Sequence, residues 1–371
     1  FLHQYNIITL LPFCVLAAIF KSNFDLNQSL FNISRRDYLF CINIILRPVI
    51  FVILSLSFHR YFKIYDFALI YSLILSFLIT TVASNFLIFK KNTRGKYEKK
   101  IISKFFSYGF PLTGLFIFDY ILTFSDRLLI GHYLGSDMVG MYGANYDLIK
   151  MMVLFGMIIQ GYIIYPELNK TFEKNDLNEV KKLMTFNFNI FITVFLPLCV
   201  FILYFNNSIS DIFIGKKFTI MSSELIPLFS MMFLFWGIKI HHFDYIFQLS
   251  EKTSLSMYIL FFGSFINLLL NIFLIPRLEL LGAAYATFIS YFIILLISLL
   301  ISRKLLKVAI DIKILIKTGI FLIMSLIISI ISSRFGFNDS ISMAIFISCY
   351  GVLTFKYNYK DLKSYFIKFY F

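Results

Sequence analysis

The chain has 371 residues, of which 59% are hydrophobic and 15% are charged, and its formal net charge is +14. Soluble domains are about 45–50% apolar and about 25% charged, so this composition excludes an ordinary soluble enzyme and a disordered protein. The basic residues lie between apolar runs of about 20 residues, a pattern that favours membrane topology over nucleic-acid binding.

Eleven apolar segments, lettered A to K, follow one another along the chain. Most are long enough for a helix to cross about 30 Å of hydrocarbon, and they lack the alternation of a transmembrane barrel. We therefore predict an all-α, polytopic membrane protein with about eleven transmembrane helices. The segments are A 8–32, B 39–58, C 67–89, D 105–124, E 138–160, F 185–205, G 224–248, H 254–275, I 281–301, J 314–332 and K 340–355.

The basic residues predict the orientation of these helices. With eleven crossings, the connections on the side of the C-terminus carry 23 Lys and Arg residues, and those on the other side carry 7. Because cytoplasmic loops carry an excess of Lys and Arg, we expect a cytoplasmic C-terminus. No connection is long enough to hold a folded domain, so the functional residues are expected within the helices.

A weak internal repeat at a spacing of 216 residues pairs segments A, B and C with G, H and I. Phe31 and Ser34 correspond to Phe247 and Ser250 in this repeat. Parallel repeats recur in transporters, although chance similarity between apolar helices is an alternative explanation. Segments D, E and F lack partners, which the spacing would put about 110 residues before Phe1. Since the chain also has no initiator Met, we expect further helices upstream.

Several ionisable residues fall inside the apolar segments, where charges are costly and usually face a cavity or a partner. Segment D contains Asp119, and segment E contains Asp147 and Lys150, which share one helix face. Arg47 precedes Pro48 in segment B. We expect these charges to line a polar cavity. The alternatives are an ion pair between Asp147 and Lys150, and an Arg47 side chain that snorkels to the interface.

Segment G carries the densest polar run, KIHHFD at residues 239–244. Lys239, His242 and the region of Asp244 lie within about one helical turn. A comparable polar zone at residues 21–27 occupies the corresponding part of segment A. Two such zones indicate one polar cavity between two bundles, unless both only mark helix ends near the cytoplasmic surface.

Neither an enzyme nor a metal site is expected. His241 and His242 are adjacent, and neighbouring helical residues point about 100° apart, so they do not readily share a metal. The four cysteines are widely separated, and the chain contains no H-E-x-x-H, G-x-S-x-G or phosphate-loop motif. We therefore predict a non-enzymatic protein that uses no cofactor and binds no nucleic acid.

Several motifs occur in order between residues 103 and 301. Residues 125–135 (SDRLLIGHYLG) and 139–142 (VGMY) resemble the signature after the seventh helix of polysaccharide flippases, and 165–168 (YPEL) is similar to a helix exit in that family. Residues 267–276 (NLLLNIFLIP) and 282–291 (GAAYATFISY) resemble a later stretch of the same polysaccharide flippases. The family comprises the Wzx-type flippases, such as the O-antigen flippases, of the multidrug/oligosaccharidyl-lipid/polysaccharide (MOP) superfamily.

The resemblance implies the MATE/MOP-like fold, with two six-helix bundles around a central cavity and two extra C-terminal helices. Segment D would be the seventh helix of the family, so its first three helices would be absent from this chain. Residues 1–100 would form the remainder of the N-terminal bundle, 101–305 the C-terminal six-helix bundle, and 306–371 the extra helix pair and cytoplasmic tail. The implied location is the bacterial inner membrane.

The resemblance also implies a function. The family flips an oligosaccharide repeat unit on undecaprenyl pyrophosphate across the bilayer by alternating access, for O-antigen, capsule or exopolysaccharide assembly; a polysaccharide polymerase is a further expected partner. The pyrophosphate requires cations and the sugars require hydrogen-bond partners. The expected cavity residues are Arg47, Lys150, Lys239, Asn145, Gln160, Asn267 and Asn271, and the candidates for ion coupling are Asp119, Asp147, Asp244, His241 and His242.

Three other functions remain open. A drug or small-cation antiporter of the same superfamily would need an acidic cavity, which the inner cations do not favour. A membrane-embedded glycan polymerase or ligase should have a sizeable outward loop, whereas the loop at 206–223 is short. The charges within the membrane segments argue against a purely structural subunit.

Overall fold

The computed structural model describes residues 7–61, 67–89, 98–306 and 311–370, and in these ranges it contains helices and no β-strand. This confirms the predicted all-α fold class. The chain divides into two compact units, Phe1–Glu98 and Lys99–Phe371. Residues 101–305 and 306–371, which the resemblance assigns to a six-helix bundle and to an extra helix pair with a tail, both fall in the second unit.

Three helices form the described part of the first unit: α1 (Ile7–Ile33), α2 (Asp37–Arg60) and α3 (Ala68–Phe89). Polar side chains join them in an otherwise apolar setting. Asn27 Nδ2 on α1 donates to Asn85 Oδ1 on α3 at 2.9 Å, and Asn43 Nδ2 on α2 donates to Ser84 Oγ at 2.7 Å. Interhelical hydrogen bonds of this kind contribute to helix association in membranes, so α3 is bound to both of its neighbours.

The second unit is a larger helical bundle around an aromatic core. Tyr146 makes edge-to-face contacts with Phe229 and Phe233, at ring-centroid distances of 5.4 and 5.2 Å. A π-helical segment at Lys239–Asp244 joins α8 to α9, and a 3-10 turn at Lys216–Phe218 precedes α8. The helices are α4 (Lys99–Tyr133), α5 (Ser136–Glu173), α6 (Leu177–Tyr204), α7 (Asn206–Phe213), α8 (Ser222–Ile238), α9 (Tyr245–Leu249), α10 (Thr253–Ser302), α11 (Ile312–Arg334) and α12 (Asp339–Tyr370).

The connection between α4 and α5 is much shorter than the loop predicted between segments D and E. Only Leu134 and Gly135 lie between the two helices. Gly135 has φ of 89°, a conformation that residues with a side chain rarely adopt, and this permits the abrupt turn. The prediction was wrong because polar residues such as Arg127 were assigned to a loop, whereas Arg127 lies within α4.

Helix α10 reverses direction near its middle. A straight helix of 50 residues would be about 75 Å long, yet Asn267 Nδ2 lies 3.3 Å from Thr287 Oγ1 across twenty residues. The backbone leaves helical geometry at Glu279, where φ is 52° and ψ is −130°. The two arms are therefore antiparallel, as expected for the separate segments H and I.

Eight stretches of the described chain are long and apolar enough to span a membrane. The number of spans is three lower than the number of predicted segments, for two reasons. Segments H and I share α10, which counts once among the eight, and segments A and K correspond to α1 and α12, which lie outside them. The chain is thus a multi-pass helical membrane protein, and the cytoplasmic C-terminus stays a prediction.

Candidate functional site

A buried ion pair lies within the π-helical segment. Lys239 Nζ is 2.7 Å from Asp244 Oδ2, and the two side chains are 3% and 6% exposed. Residues five apart lie about 140° apart on an α-helix, whereas the i to i+5 hydrogen bonding of a π-helix brings them to one face. The π-helix thus enables this pairing.

Ser256 at the start of α10 completes the contacts of this ion pair. Its hydroxyl donates to Asp244 Oδ1 and lies 3.4 Å from Lys239 Nζ. Both carboxylate oxygens of Asp244 are consequently occupied, one by the ammonium and one by the hydroxyl. Such partners are needed because an unpaired charge in a buried site is strongly unfavourable.

Asp119 on α4 belongs to the same neighbourhood. It is half-buried, and the charges of Lys239 and Asp244 both act on it. The structure therefore pairs two of the residues predicted from the sequence, Lys239 and Asp244, and within the described residues no ion pair joins Asp119 to Lys239.

The two histidines of the π-helical segment are buried and contact different neighbours. His241 Nδ1 lies 3.1 Å from the hydroxyl of Tyr245, whereas the His242 ring lies 4.8 Å from the ring of Phe188. In the described residues, His242 Nδ1 has no hydrogen-bond partner, and no three His, Cys, Asp or Glu side chains are grouped as metal ligands. The histidines do not converge on one ligand.

A second charged cluster joins α4 to α5. Arg127 Nη2 donates to Asp147 Oδ1 at 2.7 Å, so Asp147 pairs with Arg127 and the expected alternative of an Asp147–Lys150 pair is wrong. The guanidinium carbon of Arg127 and the ammonium of Lys150 lie 5.2 and 5.8 Å from the centre of the Tyr146 ring. Lys150 has no carboxylate at ion-pairing distance within the described parts of the chain. Two cations thus lie close to one aromatic ring.

Two of the amides expected in the cavity connect helices instead. Asn145 Nδ2 donates to the backbone oxygen of Phe218 at 3.1 Å, and its Oδ1 accepts from Ser222 at 2.7 Å. Gln160 Nε2 donates to Asn187 Oδ1 at 2.7 Å. Asn187 in turn donates to the backbone oxygen of His241 in the π-helical segment at 2.6 Å.

The other two amides, Asn267 and Asn271, lie on the first arm of α10 and are fully buried. Asn271 Nδ2 donates to Asn267 Oδ1 at 3.0 Å, which also accepts from Ser125 on α4 at 3.2 Å. Together with the contact from Asn267 to Thr287, these bonds connect α4 to both arms of α10. The four predicted amides therefore lie in the packed interior and form no part of the substrate site proposed below.

Arg47 lies in the first unit, half-buried on α2. Its guanidinium carbon is 4.8 Å from the centre of the Phe77 ring on α3, a cation–π geometry. This contact holds the side chain against a neighbouring helix in the same unit.

Sequence reasoning missed three residues that take part in these clusters. Arg127 lies within the motif at 125–135 but was assigned to a loop, and neither Tyr146 nor Ser256 was predicted. Tyr146 lies four residues before Lys150 on α5, a spacing that could have indicated their contact. The contacts of Arg127 and Ser256 cross between helices, so the sequence carries no comparable signal for them.

The sequence is similar to several known proteins. Residues 1–223 match the family described as "Polysaccharide biosynthesis protein". An uncharacterized membrane protein of Methanocaldococcus jannaschii is 25% identical over 56% of this chain and 41% of its own length. A probable low-salt glycan biosynthesis flippase of Haloferax volcanii is 25% identical over 46% of this chain and 36% of its own length. The aligned part is thus less than half of either relative.

Solved structures share the fold. The lipid II flippase MurJ, in an inward closed conformation, aligns with a TM-score of 0.63 and 19% identity over 94% of this chain and 72% of its own chain. A MATE protein in complex with MaL6 aligns with a TM-score of 0.65 and 11% identity over 80% of this chain and 74% of its own. These similarities confirm the predicted MATE/MOP-like fold.

Proposed function

Because the chain belongs to the polysaccharide biosynthesis protein family, we propose that it acts in a transporter that moves a lipid-linked oligosaccharide across the membrane by alternating access. The observation that carries this proposal is the presence of two cations, Arg127 and Lys150, beside the Tyr146 ring. Both lie within apolar membrane helices, on α4 and α5.

These cations suit an anionic head group. An ammonium near the centre of a membrane helix costs about 2.5–3.5 kcal/mol on insertion scales, so an accessible Lys150 favours a binding partner of opposite charge. A guanidinium forms two parallel hydrogen bonds with a phosphate, and an ammonium contributes a point charge beside it. The Tyr146 ring supports both cations through cation–π contacts but is itself buried, so it orients them without facing a ligand.

The carboxylates do not favour a small-cation antiporter. Such a protein needs carboxylates that are free to bind an organic cation. In the described residues, Asp147 is paired with Arg127 and Asp244 with Lys239. Because Arg127 is itself paired with Asp147, Lys150 is the cation near Tyr146 that supports an anionic substrate.

The proposal extends to the undecaprenyl pyrophosphate carrier, to O-antigen, capsule or exopolysaccharide assembly, and to a polysaccharide polymerase as a partner. It places the protein in the bacterial inner membrane with a cytoplasmic C-terminus. The motif resemblance supports the carrier and the pathway, and the excess of Lys and Arg in alternate connections supports the orientation.

The test is replacement of Lys150 in the complete protein, in cells that depend on it for surface glycan. Loss of one hydrogen bond to a charged group weakens binding by about 1.5–3 kcal/mol, so Lys150→Ala should lower glycan export about tenfold to a hundredfold. Lys150→Arg should retain part of the export because the charge persists.

Lys170→Ala is the matched control, since Lys170 lies on the same helix, 52% exposed and 3.8 Å from Glu167. It should export glycan normally. Membrane levels of each variant are measured in parallel. Normal export by Lys150→Ala at normal membrane levels would contradict the proposed function.

A further inference from the structure

We propose that Lys239 is a tethered cation: its ammonium fills a cation site formed by Asp244 and Ser256, and removal of the lysine leaves a site that takes a small monovalent cation such as Na⁺. The occupant of these oxygens does not depend on the transported substrate. Lys239 is thereby assigned to Asp244, in place of the substrate contact expected from the sequence.

The geometry around the ammonium is that of a small cation site. Lys239 Nζ lies 2.7 Å from Asp244 Oδ2 and 3.4 Å from Ser256 Oγ, and the same hydroxyl donates to Asp244 Oδ1. All three side chains are buried. The ammonium thus faces oxygen atoms from two different elements, the π-helical segment and α10.

The charge of Asp244 also favours a cation. The buried ammonium of Lys239 is the ion-pair partner of this carboxylate. Without Lys239, Asp244 would be an unpaired buried charge, which is strongly unfavourable. Hard cations prefer oxygen ligands, and the Asp244 carboxylate and the Ser256 hydroxyl provide them.

The π-helical segment explains how one stretch of chain supplies both ions. In an α-helix, the side chains of Lys239 and Asp244 would point about 140° apart. The wider turn of the π-helix brings the two side chains together. Asn187 on α6 contacts the same segment by donating a hydrogen bond to the backbone oxygen of His241. The local backbone is thus arranged so that the chain's own ammonium occupies the site.

The experiment measures thermal unfolding of the complete purified protein in detergent, in NaCl and in choline chloride at equal ionic strength. The wild type should melt at the same temperature in both salts. Lys239→Ala should melt lower in choline and should recover several degrees in NaCl, because a ligand that binds only the folded state stabilises it. Adding Asp244→Asn to this variant should abolish the recovery. Lys170→Ala should show no difference between the salts.

A simple structural ion pair gives a different result. In that case Lys239→Ala is destabilised equally in both salts, and this outcome overturns the proposal, as does a wild type that responds to Na⁺ as strongly as the variant. Lys239→Gln, which is neutral and polar, provides a second test of the same kind. If a variant fails to fold when it is extracted in choline chloride, the proposal requires a higher yield of folded protein in NaCl. An equally low yield in both salts overturns it.

Discussion

Gly282 provides a direct test of the reversal in α10. A Cβ atom at this position would lie 2.3 Å from the carbonyl oxygen and 2.5 Å from the carbonyl carbon of Leu274. These are backbone atoms, which cannot rotate away as a side chain can, so Gly282→Ala must push the two arms apart. Overpacking costs about 1–3 kcal/mol, and a backbone obstacle puts this substitution at the upper end of that range.

A loss of about 3 kcal/mol corresponds to a fall of about 5–10 °C in the melting temperature of a domain of this size. Thermal unfolding of the purified protein in detergent measures it. Gly319→Ala on α11 is the matched control, because a Cβ there meets nothing within 4 Å and alanine is the better helix former. Equal melting temperatures for the two variants would show that the arms do not approach each other, and the argument for two separate crossings would be refuted.

Two further predictions concern the π-helical segment and the orientation. Asn187→Ala should destabilise the protein by about 1–3 kcal/mol, because the backbone oxygen of His241 loses a buried donor and the Gln160 amide keeps only its bond to the backbone oxygen of residue 187. Asn207→Ala, at an exposed position, should melt like the wild type. A fluorescent reporter fused after Phe371 should fluoresce in the cytoplasm, and a signal confined to the outer face would reverse the predicted topology.

The membrane helices and the reversal in α10 could be predicted from the sequence. Apolar runs of sufficient length define most spans, and residues 276–280, which include a proline and two charged residues, interrupt the runs on either side. The ends of α4 and α5 could not be predicted, because a polar residue such as Arg127 looks the same in a loop and in a helix whose polar face contacts another helix. Its partner Asp147 lies on the next helix.

The sequence predicts where charged residues are concentrated, but not which of them pair. The polar run at 239–244 indicated a site in segment G, but α-helical geometry does not bring Lys239 onto Asp244, and the π-helix depends on contacts with other helices such as α6. The predicted amides illustrate a second limit. An amide that lines a cavity and one that joins two helices, as Asn267 does, both appear as a polar residue in an apolar run.

The central claim is that the complete protein moves a lipid-linked oligosaccharide, and reconstitution tests it most directly. The purified protein is placed in liposomes that carry the substrate in both leaflets, and a membrane-impermeant glycosidase is added outside. We predict that nearly all of the substrate is cleaved with the wild type. With Lys150→Ala, the substrate of the inner leaflet should become accessible to the glycosidase far more slowly. Cleavage that stops at the outer-leaflet half, as in protein-free liposomes, would contradict the account.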